Sequence, residues 1–310
     1  MKKQSIYILL SACAIVGACE QTEEPFAARK TKDNAIEIRN YLKVNKIPAD
    51  STLSGLYYFV QNKNATAQKP QVGDEVTLSY VARRFDGVVI DSSVAFLPFV
   101  YIRAPEQPAQ GYRFAVVPAV EELMQAGVEK LREGDKVSLF VPWTLRNSVQ
   151  ASLLAPLYIP LRYDIVVEKI RTEDEQIEDY IASRGLKVTE KATNGIRFVK
   201  TKILKDSTQI KFGAIVKVNY VGRLVSNGRQ FDPVATSTLL TSTLSLTLAD
   251  TATSNVGASV VKGFNDAIYR LKYGEKGIVI FPSNLGYKNG PKGTIPAYSP
   301  LYFEIEALRQ

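Results

Sequence analysis

The chain repeats itself along its 310 residues, and this repeat limits the possible folds more than any other feature. An alternation of apolar residues that ends in tyrosine, Val76–Tyr80, returns 140 residues later at Val216–Tyr220. The glycine-containing segment Leu131–Lys136 returns at the same distance as Leu271–Lys276. Self-similarity at a fixed spacing is the signature of duplicated structural units. The sequence therefore predicts two copies of one domain, each long enough to bury its own core.

The copies are predicted at residues 34–170 and 172–310, after a signal peptide at 1–18 and a tether at 19–33. Each copy opens with an acidic amphipathic segment that predicts a short helix, followed by alternating strands and glycine-containing hairpin turns. One further helix precedes the closing strands. A single helix crossing an otherwise antiparallel sheet is typical of the α+β class, which is the predicted fold of both copies.

The helix inside each copy is predicted from the spacing of apolar residues. In the second copy the apolar residues of Phe264–Leu271 fall at i, i+3, i+4 and i+7. At the repeat spacing, the first copy would have its helix at Met124–Leu131. The pentapeptide 116–120 (VVPAV) is more similar to the start of the second copy's helix but lies four residues early, so both alignments stay open.

The N-terminus is interpreted as an export signal. Lys2 and Lys3 precede the apolar run Ile6–Val16, which is too short to cross a bilayer as a helix and has the length of a secretory h-region. The run ends in small residues before Cys19, and this order of parts resembles the signal peptide and lipobox of bacterial lipoproteins. Cys19 is therefore predicted to carry a lipid that anchors the protein in the cell envelope, where the outer membrane is the expected site. Cys13 fits the same box but would leave an h-region of about six residues, near the lower limit.

Alternatives remain for this segment. The acidic run Glu20–Glu24 resembles the surface-export tags of some Bacteroidetes lipoproteins, and it is equally typical of a solvated tether. The alternative for Cys19 is a plain signal peptide in which the cysteine is incidental.

Composition excludes several kinds of chemistry. Histidine is absent and Cys13 and Cys19 are the only cysteines, which excludes a Ser-His-Asp triad, a Cys-His dyad and a His-ligated metal. The body of the chain has no cysteine for a disulfide or a zinc site. No metal and no cofactor are predicted. The formal net charge of +8 is spread along the chain without a dense basic run, so nucleic acid is not an expected partner.

The second copy carries an ordered set of motifs. In chain order these are Val216–Gly222, Asn227-Gly228, Phe231-Asp232, Val260–Phe264, Leu271–Lys276, Pro282–Tyr287, Ile295-Pro296 and Leu301–Glu306. No single motif is specific, but their order resembles the FKBP-type peptidyl-prolyl isomerase domain along nearly its full length. The resemblance implies a curved antiparallel sheet wrapped on one α-helix, with an apolar groove that accepts a proline side chain. It also implies proline-containing polypeptides as partners.

The resemblance assigns roles to individual residues of the second copy. As catalytic residues it implies Tyr220, Phe231, Asp232, Val261, Phe264, Tyr287 and Phe303. As substrate-binding residues it implies Leu244, Val260 and Ile295. Phe264 stands where the family usually has tryptophan, and Leu244 stands where it usually has an aromatic residue.

The implied chemistry needs no nucleophile and no metal. An X–Pro bond rotates over a barrier of about 20 kcal/mol because of amide resonance, which the twisted bond has lost. A dry aromatic pocket that binds the twisted form better than the planar form lowers this barrier. By the resemblance, the N–H of Val261 holds the substrate carbonyl and the Tyr287 hydroxyl contacts the peptide. Asp232 would orient the neighbouring tyrosines and set the local field.

The first copy departs from this pattern. It keeps Tyr80 and Asp91, and Tyr163 replaces the phenylalanine of the last strand. Three positions that are aromatic in the second copy have other side chains here: Ile90, Met124 and Asn147. We expect a degenerate, inactive domain that serves as a spacer, a dimerisation surface or a peptide clamp. A divergent but active isomerase is the alternative.

The sequence thus predicts a membrane-anchored prolyl isomerase that assists the folding of envelope or surface proteins, with activity mainly in the second copy. Two other functions stay open: a non-catalytic chaperone or assembly factor that holds peptides, and a structural lipoprotein whose grooves have no role. Phe264 and Leu244 bear on the first alternative, because a weakened pocket would lose turnover before it lost peptide binding. No oligomeric state is predicted.

Overall fold

The computed structural model describes residues 24–62, 66–93, 98–104, 116–125, 131–146, 153–233, 241–250 and 260–309. These residues form two antiparallel seven-stranded sheets, one in each half of the chain. The N-terminal half comprises α1 (Phe26–Val44), β1 (Asp50–Ser51), β2 (Tyr57–Asn62), β3 (Glu75–Arg83), β4 (Val89–Ser92), β5 (Phe99–Ile102), α2 (Val116–Gln125), β6 (Lys136–Val141) and β7 (Leu161–Arg171). The C-terminal half comprises α3 (Glu173–Ser183), β8 (Glu190–Lys191), β9 (Arg197–Lys202), β10 (Ile215–Leu224), β11 (Gln230–Asp232), β12 (Ser242–Thr247), α4 (Lys262–Tyr269), β13 (Lys276–Phe281) and β14 (Leu301–Ala307).

The two sheets have the same strand order. The first runs β1-β2-β6-β7-β3-β4 with β5 also on β3, and the second runs β8-β9-β13-β14-β10-β11 with β12 also on β10. In the first sheet the long strand β3 pairs with β7 along one edge and with β5 and then β4 along the other. In the second sheet β10 pairs in the same way with β14 along one edge and with β12 and then β11 along the other. Both halves are therefore α+β domains of one topology, as the repeat predicts.

Each core lies between the sheet and its internal helix. Strand residues alternate between faces, so Leu301, Phe303 and Ile305 of β14 all point toward α4. There they are buried in one cluster with Phe264 and Ile268. The first domain has the corresponding cluster between its sheet and α2.

The opening helix of each domain covers the other face of the sheet. Ile177 of α3 packs with Tyr302, whose side chain leaves β14 on the face opposite Phe303. Ile38 of α1 packs in the same way with Phe140 of β6. Each sheet is thus covered by helix on both faces, and the groove-forming side is the one that carries α2 or α4.

The opening helices have different starts. Helix α3 begins where the sequence predicts, because Thr172 and Glu175 form a capping box at its N-terminus. Helix α1 begins at Phe26, after Pro25 and without a side-chain cap, so it occupies part of the segment predicted as tether up to residue 33. Its first turns lack an acidic capping signal that would mark this start in the sequence.

The internal helix of the first domain lies earlier than the repeat spacing predicts. Of the two alignments left open, the earlier one, at 116–120, is confirmed, because α2 covers Val116–Gln125; the helix start at Met124 given by the repeat spacing is wrong. The stretch from the end of β4 to the start of α2 is six residues shorter than its counterpart between β11 and α4, whereas the stretch from the start of α2 to the start of β6 is six residues longer than its counterpart between α4 and β13. The two length changes compensate, so the spacing of 140 returns at β6 although the helix itself is displaced.

The junction of the domains is short. Arg171 ends β7, and its guanidinium donates from Nε to Glu75 of the first sheet and from Nη1 to Asp179 of α3, both at 2.9 Å. Thr172 then caps α3. Among the described helices, none combines the length and the apolar character needed to cross a membrane.

Asn34 fastens α1 to the turn after β6. It is buried, its Oδ1 accepts from the N–H of Trp143 at 3.0 Å, and its Nδ2 donates to the carbonyl of Tyr158 at 2.9 Å. Glu173 holds α3 in the same way, accepting from the N–H and the hydroxyl of Ser283. The two domains therefore use one anchoring device with different side chains.

We predict that Asn34→Ala lowers the free energy of unfolding of the N-terminal domain by about 1–3 kcal/mol, because the half-buried N–H of Trp143 and carbonyl of Tyr158 lose a buried partner. Urea unfolding followed by the fluorescence of Trp143, the single tryptophan, measures this. Asn40→Ala, on the exposed side of the same helix, is the matched control and should be near neutral. Equal effects of the two substitutions would contradict the anchoring role.

Candidate functional site

A hydrogen-bonded pair lies at the edge of the second sheet. Tyr220 of β10 donates its hydroxyl to Oδ2 of Asp232 at 2.6 Å, and Ser242 donates to Oδ1 of the same carboxylate at 2.5 Å. The hairpin turn at Asn227-Gly228 brings β11 back along β10, so Asp232 lies opposite Gly222. Both oxygens of this carboxylate are thus held by hydroxyl groups, and its orientation is fixed.

Aromatic rings form the floor beside this pair. Phe264 of α4 contacts Tyr220 and Phe303 edge-on, with centroids 5.1 Å away in each case. Phe231 meets Phe303 edge-on at 5.6 Å, and Phe281 stacks on Phe303 from below at 5.8 Å. Phe264 and Phe303 are buried, whereas Tyr220 and Phe231 are half-buried and line the open side. Edge-on ring contacts at these distances are the favoured geometry of aromatic clusters.

Gly222 allows the rings to approach the strand. A Cβ at this position would lie 2.6 Å from the ring of Phe231 and 2.8 Å from the ring of Phe303. Those distances are below van der Waals contact, so any larger residue would push the rings out of the groove. Gly222 is not among the predicted site residues. A glycine inside a strand is a signal of close approach, and it could have been used here.

The remaining predicted residues surround the floor. Ile295 is buried in the same cluster, and five of the others pack against it while half-exposed: Tyr220, Phe231, Leu244, Val260 and Tyr287. Val261 also packs there and is the N-cap of α4, with an extended backbone (φ −74°, ψ 152°). An N-cap N–H has no partner in the helix ladder, so it is available to the groove side. The structure therefore brings all the predicted site residues of the second copy together.

Asn265 is a positioning residue that the sequence analysis missed. It is fully buried next to Phe264, and its amide side chain accepts from the N–H and donates to the carbonyl of Ala249 at 3.1 and 2.8 Å. This pair ties α4 to the chain that leaves β12. The orientation of the helix that carries the floor residue depends on it, and nothing in the local sequence marks an asparagine for this role.

The site keeps its phenols protonated. Burial raises the pKa of Tyr220, and the hydrogen bond to Asp232 and the charge of that carboxylate raise it further. Burial also raises the pKa of Tyr287, and the Asp232 charge acts in the same direction. Both hydroxyls therefore remain hydrogen-bond donors over the physiological pH range.

The N-terminal domain keeps part of this arrangement. Tyr80 donates to Oδ2 of Asp91 at 2.5 Å, as in the second domain. In the first domain Phe99 pairs with Leu78, and in the second Leu244 pairs with Val218 at the corresponding position of the sheet. This position is therefore aromatic in the first domain and aliphatic in the second.

The floor of the N-terminal domain differs. In the alignment that starts at 116–120, Val120 stands at the position of Phe264, and it is buried in the core cluster of the first domain. Met124, which the repeat spacing places there, lies in the last turn of α2, whereas Phe264 lies in the first turn of α4. Asn147 lies outside the described residues. Val120 carries no ring, so within the described part of the first domain the position of Phe264 is not aromatic.

Fold and site together define an α+β domain with an aromatic groove and a fixed carboxylate. The sequence model of the FKBP-type peptidyl-prolyl cis-trans isomerase family matches residues 206–308. The FK506-binding protein of Neisseria meningitidis serogroup B is 35% identical over 98 residues, which are 31% of this chain and 80% of that protein. The chain belongs to the FKBP-type peptidyl-prolyl cis-trans isomerase family.

Two other relatives are matched over a smaller share of their own length. The FKBP-type peptidyl-prolyl cis-trans isomerase FkpA of Buchnera aphidicola is 32% identical over 148 residues, 45% of this chain and 53% of that protein. The chain thus spans about half of FkpA, and it spans 29% of the 39 kDa FK506-binding nuclear protein of Drosophila melanogaster. The crystal structure of the three FKBP domains of wheat FKBP73 is 19% identical with a TM-score of 0.35, over 83% of this chain and 94% of that one.

We predict that Gly222→Ala lowers the free energy of unfolding of the C-terminal domain by about 1–3 kcal/mol, because the rings of Phe231 and Phe303 must move. Denaturant unfolding followed by circular dichroism, together with NMR shifts of the ring protons, measures both effects. Gly290→Ala is the control, since its Cβ would meet only the Tyr287 carbonyl at 3.5 Å. Unchanged ring shifts in Gly222→Ala would show that the groove does not depend on this close approach.

Proposed function

We propose that the C-terminal domain catalyses cis–trans isomerisation of X–Pro bonds in polypeptides of the cell envelope. The observation that carries this proposal is the fixed Asp232 carboxylate beside a floor made of Phe264 and Phe303. Family membership supports the reaction type, and the groove supplies the residues for it.

Binding energy is the whole of the proposed catalysis. The planar X–Pro amide is stabilised by resonance, and rotation costs about 20 kcal/mol in water. A site lowers this barrier only by binding the twisted amide more tightly than either planar form. An enclosed, apolar floor favours the twisted form because it has lost charge separation across the amide, and it withholds the water that would stabilise the planar dipole.

Each groove residue has a proposed part. The proline ring lies on Phe264 and Phe303, between Phe231 and Ile295. The N–H of Val261 holds the carbonyl that follows proline. These contacts fix the proline side of the bond while the preceding residue rotates.

The polar groups act on the other side of the bond. Asp232 cannot turn away from the groove, because both of its oxygens are engaged. Its fixed charge therefore faces the rotating carbonyl group and favours one orientation of that dipole. The protonated hydroxyl of Tyr287 is available to donate to the peptide.

A peptide-binding chaperone without turnover is the second candidate. Leu244 favours it, because the ladder places an aliphatic side chain where Phe99 stands in the first domain. An aliphatic side chain preserves apolar contact but removes one ring from the wall. Such a groove would hold proline peptides with less discrimination between planar and twisted forms.

We predict that Asp232→Val slows isomerisation of a short X-Pro-Phe peptide by the full chain about tenfold or more, which corresponds to about 1.4 kcal/mol of lost transition-state stabilisation. Tyr287→Phe should give a smaller loss. A protease-free assay that follows the cis and trans populations by NMR exchange measures this.

Asp91→Val, the same change in the first domain, is the matched comparison. A loss of rate in Asp91→Val with none in Asp232→Val would assign the activity to the N-terminal domain. Peptide binding without acceleration by the unaltered chain would favour the chaperone function. Absence of both binding and acceleration would reject both functions.

The export signal supports a further part of the proposal. The small residues before Cys19 and the apolar run Ile6–Val16 favour cleavage before that cysteine and its lipidation. A lipidated cysteine would hold both domains at the surface of the outer membrane. The substrates within reach would then be proteins that fold in the envelope or on the cell surface.

We predict that Cys19→Ser moves the protein from the membrane fraction to the soluble fraction of the envelope and abolishes incorporation of labelled palmitate. Cell fractionation and metabolic labelling in a bacterial host measure this. Cys13→Ser is the control and should keep both properties. Lipid incorporation that follows Cys13 would show that the earlier box is the one used.

A further inference from the structure

A buried arginine follows the turn after β6 in the N-terminal domain. Arg146 is only 4% exposed. Its Nη1 donates to the carbonyls of Pro156 at 2.9 Å, Leu157 at 3.3 Å and Ile159 at 2.7 Å. One nitrogen of the guanidinium therefore holds the segment that leads into β7.

The other edge of this guanidinium is unused. Neither Nε nor Nη2 of Arg146 has a hydrogen-bond partner, and no carboxylate among the described residues pairs with it. Burial lowers the pKa of this group. A buried cation without a counter-charge is unfavourable, and an unsatisfied buried donor in a native fold calls for an explanation such as an absent ligand.

The chain itself shows what this edge binds. Arg162, Arg171 and Arg197 each place Nε and Nη2 against one carboxylate, those of Asp164, Glu75 and Glu178 respectively. Side-on pairing of this kind matches the planar fork of the guanidinium to a carboxylate. Arg146 has the same edge and lacks the carboxylate.

The charge of Arg146 has no counterpart in the second domain. The corresponding residue of the second domain, 140 positions on, is Gly286. Arg146 acts on Tyr163, which replaces Phe303: burial raises the pKa of this phenol, and the Arg146 charge opposes that rise. The first domain therefore has a buried cation near Tyr163, and the second domain has no cation at the corresponding position.

Apolar side chains lie on the segment that Arg146 holds. Leu153 is almost fully exposed, and Leu154 and Leu157 are about half-exposed. Exposed leucines in a short segment favour contact with apolar groups of a partner. These three leucines lie in sequence within four residues of the carbonyls that Arg146 binds. The guanidinium and the exposed leucines therefore belong to one segment of the chain.

We propose that Arg146 and the adjoining leucines form a second ligand site, which binds the carboxylate of a polypeptide segment with apolar neighbours. The carboxylate takes the buried Nε–Nη2 edge by displacing the part of the chain that covers it, and the apolar side chains of the ligand lie on Leu153, Leu154 and Leu157. The site is separate from the groove of the C-terminal domain, and it requires no isomerase activity.

The test uses the full chain and proline-free peptides, so that the C-terminal groove is not engaged. The probes are an acetylated Leu-Ala-Leu with a free C-terminal carboxylate, the same peptide as an amide, and an amide with an internal glutamate. Trp143 lies three residues before Arg146 and is the single tryptophan, so its fluorescence reports binding in the N-terminal domain alone.

The free acid or the glutamate peptide should bind saturably, and the plain amide should bind at least about tenfold more weakly, as expected for the loss of a charge-assisted pair. Binding of the free acid would identify the ligand group as a C-terminal carboxylate, and binding of the glutamate peptide would identify it as a side-chain carboxylate. Arg146→Met should abolish the difference between acid and amide, and Arg229→Met, an exposed arginine of the other domain, should keep it.

Equal binding of acid and amide by the unaltered chain, or no binding of any probe, would overturn the proposal and leave Arg146 as a structural clamp. This comparison does not need the variant to fold. The isomerase assay is run separately on the same protein, so failure of this site and failure of the proposed activity are read independently.

Discussion

The close approach of two phenylalanine rings to the backbone at Gly222 is the constraint on which the C-terminal groove depends. Because position 222 carries no Cβ, Phe231 and Phe303 can meet over β10. Phe303 then supports Phe264 from one side and rests on Phe281 on the other. One missing side chain thus allows the floor to form.

The first domain shows that the fold forms without this aromatic groove. Its strand order and ladder are the same, and its core closes between sheet and helix with other side chains. Ala82 stands at the position of Gly222, and the ring that would oppose its Cβ is replaced by Ile90. Loss of the ring and gain of the Cβ are compatible changes, because each makes room for the other. Burial of the sheet face specifies the fold, whereas the groove is specified by a few positions that vary independently of it.

Much of this could be predicted from the sequence because it rests on local or repeated signals. Helix α3 has its capping box, the hairpins have their turn glycines, and the site residues follow one another at family spacing. The repeat spacing alone could not place helix α2, since a shorter stretch before it and a longer stretch after it cancel; only the local similarity of 116–120 indicated its position. Arg146 gave no signal either: an arginine in a loop is ordinarily a solvated side chain, and only packing shows that it is buried.

The two grooves have aromatic residues at different positions, and this difference determines what each groove can bind. In the second, Phe231 and Phe264 both contact Phe303, so its floor survives the replacement of a wall residue by Leu244. The first keeps Phe99 against Tyr80, has Val120 in the core, and carries the buried cation Arg146. An apolar floor binds an uncharged ring, such as that of proline, through its shape. A desolvated cation binds a carboxylate through its charge. Two domains of one topology would then hold different parts of a polypeptide. Because Arg171 and Thr172 join them through hydrogen bonds, their connection is too short to act as a flexible linker.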